Sequence, residues 1–144
     1  MNREILFKAK HILLDKWYEG YYVKIGILHY IAVTDEGFEN GYRLVEINPD
    51  TICQYTGLTD KNGNKIWEND ICHYHGPSDD VCVIRYGEYH DNSRECHIGF
   101  FTDWQEFGYM FRQDLGFWVA EREIEVIGNT FDNPELLEGG ATNE

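Results

Sequence analysis

Cysteine and histidine side chains gather in the middle of this sequence, where they could bind a transition metal. Residues 72–75 read Cys-His-Tyr-His, and the same residue types recur downstream at Cys82, His90, Cys96 and His97. Zinc prefers thiolate and imidazole ligands. A strand alternates its side chains between two faces, so His73 and His75 would share one face and Cys72 would point to the other. We therefore predict no metal site and no cofactor; the nearest approach to a site is the set His73, His75 and Cys82.

Two further chemistries would use the same region. A catalytic cysteine needs a neighbouring base and an access route, which the order of residues does not show. The acids Asp79, Asp80, Asp91, Glu95 and Asp103 could gather a hard cation such as Mg²⁺, although acids in loops are commonly solvated without one. No phosphate-binding Gly-x-x-x-x-Gly-Lys segment occurs. We predict no catalytic residues and favour a non-enzymatic protein, with a hydrolase or metal-dependent activity left open.

Aromatic and basic residues interleave near the N-terminus. Residues 1–33 hold five basic and three acidic side chains, and single-strand binding proteins combine stacking aromatics with phosphate-binding lysines. The candidate binding residues are Trp17, Tyr18, Tyr21, Tyr22 and Lys24. Alternatively, these aromatics form the core face of the strands and their cross-strand pairs. The exposure of the rings distinguishes the two hypotheses.

The charge of the 144-residue chain is strongly acidic and unevenly distributed. Twelve Lys and Arg face 26 Asp and Glu, a net charge of −14, of which residues 67–144 carry −13. General phosphate binding needs a basic footprint, so this balance argues against it. The acidic half is either a solvated surface that keeps the protein soluble or a face offered to a basic partner.

The four cysteines predict free thiols. Cys53, Cys72, Cys82 and Cys96 contain no Cys-x-x-Cys pair, and the charged N-terminal residues do not resemble a signal peptide. No apolar run reaches the ~18 residues of a membrane helix. We expect a protein of the reducing cytoplasm of a bacterial host cell, without a membrane partner.

The elements that must position these residues are strands. Alternating or β-branched and aromatic stretches predict them, at residues 5–12, 21–33, 42–47, 66–72, 81–86, 96–101 and 121–128. Asn62-Gly63 predicts a hairpin turn, and residues 87–95 predict a polar loop or loose hairpin. Residues 102–118 fit either a helix or a strand near 109–112, the latter favoured. Asn133-Pro134-Glu135 predicts a short helical turn.

Three segments in order resemble the YopX family of small proteins encoded by phages and prophages of bacteria. They are Arg3–Lys8 with Trp17–Tyr22, then Thr51–Ile71 with its Gln-Tyr-Thr-Gly-Leu and Asp-Lys-Asn-Gly runs, and Glu125–Leu137 with Ile-Gly-Asn and Asn-Pro-Glu-Leu. The resemblance implies an all-β protein in which an N-terminal antiparallel β-meander caps a small C-terminal pseudo-barrel. It implies a phage-related setting, with no established activity and no catalytic residues.

Together these observations predict one compact domain over residues 1–144. It would consist of a meander subregion at 1–57, a barrel subregion at 58–138 and a frayed tail at 139–144. The predicted function is a non-enzymatic protein-interaction module that binds an unidentified protein through the acidic, aromatic-rich C-terminal half. The alternative is a nucleic-acid role, through the N-terminal aromatic and basic surface or as an acidic DNA mimic, but nucleic acid is not the favoured partner. Pairing of exposed strand edges leaves a homo-oligomer open.

Overall fold

The chain is all-β, as predicted, and divides into two compact units, Met1–Gly57 and Leu58–Glu144. The structure is a computed structural model that describes residues 4–33, 41–74, 81–91, 93–104, 111–120 and 124–137. None of the helices in these ranges is long and apolar enough to cross a membrane. Each unit has a hydrophobic core of its own.

The N-terminal unit is an antiparallel meander. Its strands are β1 (Phe7–Lys10), β2 (Trp17–Ile25), β3 (Leu28–Val33), β4 (Arg43–Glu46) and β5 (Cys53–Thr59), which runs on past Gly57. They lie in the order β4-β3-β2-β1-β5. A 3₁₀ turn at Pro49–Thr51 connects β4 to β5, and Asn48 caps it by accepting a hydrogen bond from the Asp50 N–H.

The meander closes on itself. The chain leaves β4 at one edge of the sheet and returns as β5 beside β1 at the other edge. Beyond the strands, His11 bridges to Ile47, and the Ile12 N–H donates to the Glu46 carbonyl over 3.0 Å. Closure buries the side chains that point inward, which include Ala9, Ile31, Val33, Val45 and Ile47.

The strand β2 changes its pairing partner at Gly20. β2 pairs with β1 up to Gly20 and with β3 from Tyr21 onward. A Cβ atom at Gly20 would lie 2.1 Å from the Ala32 carbonyl oxygen, a backbone atom that cannot rotate away. Only glycine permits this approach of two strands.

The C-terminal unit is built on a five-stranded antiparallel sheet in the order β10-β9-β8-β7-β11. Its elements are β6 (Lys65–Trp67), β7 (Asp70–Tyr74), β8 (Val81–His90), β9 (Cys96–Trp104), β10 (Phe111–Asp114), α1 (Leu115–Ala120), β11 (Ile124–Asn129) and a 3₁₀ turn at Pro134–Leu137. The strand β6 forms a hairpin with the end of β5. The core consists of Ile66, Cys72, Cys82, Ile84, Trp104, Leu115 and Ile124.

Several predicted elements are confirmed, and two need correction. The hairpin at Asn62-Gly63 and the helical turn after Asn133 are present. The stretch 87–95, predicted as a polar loop or loose hairpin, is a hairpin, but its first strand is longer than predicted, because β8 continues to His90 opposite Cys96. The region predicted as either a helix or a strand contains both. Residues 111–114 form the strand β10, and residues 115–120 form the helix α1. The predictions for His75, Asp79, Asp80, residues 105–110, residues 121–123 and residues 139–144 lie outside the described residues.

Candidate functional site

The predicted aromatic and basic binding residues divide between the two faces of β2. Tyr18 and Tyr22 point inward and pack against the core of the N-terminal unit. The Tyr22 hydroxyl also forms a 2.6 Å hydrogen bond with His29 Nδ1, and the two rings stack. Their contacts serve the fold, as the structural alternative for these aromatics expects.

Trp17 and Tyr21 point outward, on the opposite face from Tyr22 and Lys24. The Lys8 and Lys10 ammonium groups lie 4.7 Å and 5.6 Å from the Trp17 ring centroid, so the protein's own cations already occupy this ring. Tyr21 is exposed. The structure therefore places the five predicted residues on two surfaces.

An apolar surface covers the outward side of β2, β3 and β4. Tyr21 pairs with Ala32, which pairs with Leu44, and Ile25 pairs with Leu28. Residues paired across strands point to the same side of a sheet, so these side chains share one face. Four of them are exposed large hydrophobics: Tyr21 (54%), Ile25 (54%), Leu28 (41%) and Leu44 (46%). Ile27, in the β2–β3 turn, is 87% exposed. We call these four residues and Ile27 the outer apolar face.

Asp60, in the central segment that resembles the YopX family, is a buried structural carboxylate. It is only 6% exposed, and its Oδ1 accepts hydrogen bonds from the N–H groups of Asn62 and Asn64. Its Oδ2 accepts the Val126 N–H over 2.9 Å, across 66 residues of sequence. Burial alone would raise the pKa of Asp60, but hydrogen bonds from the backbone of Val126, Asn64 and Asn62 outweigh it and lower the pKa. Asp60 therefore holds the β5–β6 hairpin to β11.

Other residues of the same segments also form backbone joints. The Asp70 carboxylate, 3% exposed, accepts the Trp67 N–H over 2.8 Å. A Cβ at Gly128 would lie 2.6 Å from Asn133 Oδ1, which accepts the Asn129 N–H. The contacts of these motif residues build turns.

The structure does not bring His73 and Cys82, two of the three candidate metal ligands, together. Cys82 pairs with Cys72 and both are fully buried, whereas His73 pairs with Val81 and so points to the other face of the sheet. Burial raises the pKa of both thiols well above the ordinary value. His73 Nε2 instead contacts Glu125 Oε1 at 2.9 Å, and this hydrogen bond is the main cause that lowers the pKa of Glu125.

A different set of titratable residues converges at the turn between β8 and β9. His97 Nε2 donates to Asp91 Oδ2 over 2.8 Å, and the ligand atoms of Asp91, Glu95 and His97 lie within 4.8 Å of one another. Asp91 Oδ1 accepts the N–H groups of Ser93 and Glu95. The hydrogen bond from His97, followed by that from the Glu95 N–H, lowers the pKa of Asp91.

A cavity of about 280 Å³ opens beside this set. It is lined by Tyr89, Asp91, His97, Gln113 and Asp114. The Tyr89 ring lies between His97 and Phe101, with ring centroids 5.2 Å and 4.6 Å away. Burial, and then the charges of Asp114 and Asp91, raise the pKa of Tyr89.

From the sequence alone, Asp91, Glu95 and His97 belong to separate hypotheses. Asp91 and Glu95 stood among the acids for a hard cation, and His97 stood among the ligands for zinc. The three residues meet at a turn in which the Asp91 carboxylate accepts hydrogen bonds from two backbone N–H groups. This turn brings β9 back beside β8. Gln113 and Asp114 come from β10, and no local pattern marks them as neighbours of Tyr89.

Comparisons with known proteins agree over nearly the whole chain. A family model described as YopX protein matches residues 6–138. The crystal structure of protein EF1440 from Enterococcus faecalis is similar, with a TM-score of 0.53 and 26% sequence identity. That match covers 94% of this chain and 99% of the other. A search of curated proteins returned no match.

Proposed function

This chain belongs to the YopX family, and we propose that it is a non-enzymatic interaction module that binds another protein through its outer apolar face. The observation that supports this proposal is the exposure of Tyr21, Ile25, Leu28 and Leu44 on one face of three paired strands. Exposed apolar side chains grouped on one face are typical of interaction surfaces. The setting that the family resemblance implies is the cytoplasm of a bacterium that carries the phage or prophage.

The distribution of exposed side chains favours the N-terminal unit over the acidic half as the contact region. Of fourteen exposed large hydrophobic residues in the described part of the chain, ten lie in the N-terminal unit. The acidic C-terminal half then contributes mainly solubility and long-range attraction of a basic partner.

Charge favours a protein partner over a nucleic acid. On the outward side, Glu19 pairs with Lys8 of β1, Lys10 pairs with Trp17, and Glu46 lies on β4, so charges of both signs border the face. General phosphate binding needs a basic footprint, whereas a rim of mixed charge suits a protein surface.

Affinity capture of the tagged full chain from bacterial lysate, with and without nuclease, tests the proposal. The decisive variants are Ile27→Ser and Leu44→Ser, and the matched control is Ile98→Ser, an isoleucine of the C-terminal unit that is 74% exposed. We expect one defined protein that survives nuclease and binds the two variants at least about tenfold more weakly, a change of ~1.4 kcal/mol. Ile98→Ser should bind it unchanged.

Three outcomes would overturn the proposal. The first is equal retention by all three variants, and the second is loss of every retained protein after nuclease, which would favour the nucleic-acid alternative. The third is self-association alone: sedimentation of the purified chain would then show a dimer that Ile27→Ser and Leu44→Ser dissociate, with a second copy as the occupant of the face.

A further inference from the structure

We infer that Asp91, Glu95 and His97 form a binding site for a divalent transition-metal ion of the Zn²⁺ class. Each residue offers one ligand atom, and the three atoms lie within 4.8 Å of one another. An imidazole nitrogen with two carboxylate oxygens suits zinc and its neighbours, whereas Mg²⁺ prefers oxygen ligands and bound water. The site lies in the C-terminal unit and is independent of the outer apolar face.

The distances require only small side-chain movements. Around a tetrahedral ion with bonds of about 2.0–2.2 Å, ligand atoms lie about 3.4 Å apart. His97 Nε2 and Asp91 Oδ2 are now 2.8 Å apart, so an ion that replaces the shared proton moves them apart by about half an ångström. Glu95 is exposed on the turn, where its side chain can rotate to bring the third oxygen in.

The backbone already presents two of the ligands. Asp91 Oδ1 is held by the N–H groups of Ser93 and Glu95, at 2.8 Å and 3.0 Å, which leaves Oδ2 directed at His97. The His97 ring stacks against Tyr89, a residue that is 5% exposed. A ligand set fixed in this way loses little conformational entropy when it binds an ion.

The cavity beside the three ligand atoms provides room for the open coordination position of the ion. It has a volume of about 280 Å³, and Asp91 and His97 line it together with Tyr89, Gln113 and Asp114. A zinc ion with three protein ligands keeps its fourth position for a water or another small ligand. That ligand would occupy this cavity.

The pair of His73 and Glu125 shows what distinguishes this site. It has the same chemistry and nearly the same separation, 2.9 Å. There, however, Glu125 Oε1 lies 3.8 Å from Lys61 Nζ, and its Oε2 accepts from Asn62 Nδ2 over 3.1 Å. A lysine ammonium supplies the positive charge that a metal ion would supply at Asp91. The His73 pair is therefore the matched control.

Titration calorimetry of the full chain, first stripped with chelator, with Zn²⁺ alone tests the inference. We expect one ion per chain and at least a tenfold loss of affinity in His97→Gln and in Asp91→Asn. His73→Gln should bind like the parent. Co²⁺ in place of Zn²⁺ should give the visible absorption of a tetrahedral nitrogen and oxygen site, which His97→Gln abolishes.

Glu95→Gln tests the inference even if the other variants unfold. Glu95 lies on the surface of the turn, so this substitution leaves the backbone that holds Asp91 unchanged. Circular dichroism checks the fold, and Glu95→Gln should also lose affinity at least tenfold. The inference fails if the parent binds no Zn²⁺ or if His73→Gln weakens binding as much as His97→Gln does. It also fails if Cys96→Ser abolishes binding, because the neighbouring thiol would then be the ligand.

Discussion

The turn at Asp60 and the turn at Asp91 have the same backbone hydrogen bonds. In the first, the Asp60 N–H donates to the Asn64 carbonyl over 2.8 Å, and the Gly63 N–H donates back to the Asp60 carbonyl over 3.0 Å. Asp60 Oδ1 accepts the N–H groups of Asn62 and Asn64. Gly63, the fourth residue, has a φ of 86°.

The second turn repeats this pattern between β8 and β9. The Asp91 N–H donates to the Glu95 carbonyl over 3.0 Å, and the Arg94 N–H donates back to Asp91 over 2.9 Å. Oδ1 accepts from Ser93 and Glu95. Arg94 has a φ of 68°, so a non-glycine residue occupies the left-handed position.

The two turns differ in the use of the second carboxylate oxygen. Asp60 Oδ2 binds a backbone N–H of β11 and is buried in the fold. Asp91 Oδ2 binds a titratable imidazole beside a cavity. The same local geometry thus serves as a structural clasp in one place and as a candidate ligand in the other.

The largest expected effect comes from deleting each carboxylate. Asp60→Ala leaves three N–H groups without an acceptor, those of Asn62, Asn64 and the half-buried Val126, which costs about 3 kcal/mol of the free energy of unfolding. Asp91→Ala exposes its N–H groups to water and should cost much less. Urea unfolding followed by tryptophan fluorescence compares the two. Equal losses would show that the Asp91 turn is also a clasp.

Acid should reduce the free energy of unfolding of the parent more than that of the Asp60→Asn variant. The folded state lowers the pKa of Asp60 below its ordinary 3.8, so its stabilisation is fully present above that value and is lost as the pH falls through the folded pKa. The parent should exceed Asp60→Asn in free energy of unfolding by a constant amount from pH 7 to about 5. The difference should shrink below pH 3.8. Urea midpoints measured across this range check the sign, and a difference that grows on acidification would contradict it.

The smallest effects on stability come from substitutions at Gly63 and Arg94, which have a left-handed backbone conformation. A Cβ at Gly63 meets no atom within 4 Å, so Gly63→Ala should cost only the conformational penalty, about 1 kcal/mol. Arg94→Gly should gain about 0.5 kcal/mol, because relief of the left-handed strain exceeds the added freedom of the unfolded chain. Thermal unfolding of both variants measures the two signs. A stabilising Gly63→Ala would show that the φ of 86° carries no strain.

The sequence predicted one of these turns well and the other poorly. Asn62-Gly63 predicts a hairpin because both residue types tolerate positive φ. Residues 91–95 lack glycine, so the sequence predicts only a polar loop or loose hairpin from residue 87 onward, whereas β8 continues to His90. The partner of Asp60 Oδ2 lies 66 residues away, beyond the reach of any local pattern.

The binding surfaces show the same limit. Alternation along β2 predicts that Tyr18 and Tyr22 share one face and Trp17 and Tyr21 the other. It does not predict which face is buried. That choice follows from the contacts that join the end of β1 to the end of β4, the bridge from His11 to Ile47 and the hydrogen bond from Ile12 to Glu46. They close the meander over Tyr18 and Tyr22 and leave Tyr21 outside.

By itself the sequence determined the all-β class, the family and the positions of most strands and of one hairpin, because alternation and turn chemistry act between residues a few positions apart. Only the tertiary structure decided which aromatic rings are buried and which aspartate oxygen is committed to the fold. It also brought Asp91, Glu95 and His97 beside Asp114 of another strand. These outcomes depend on pairing and closure between distant segments, whose energies no local pattern contains.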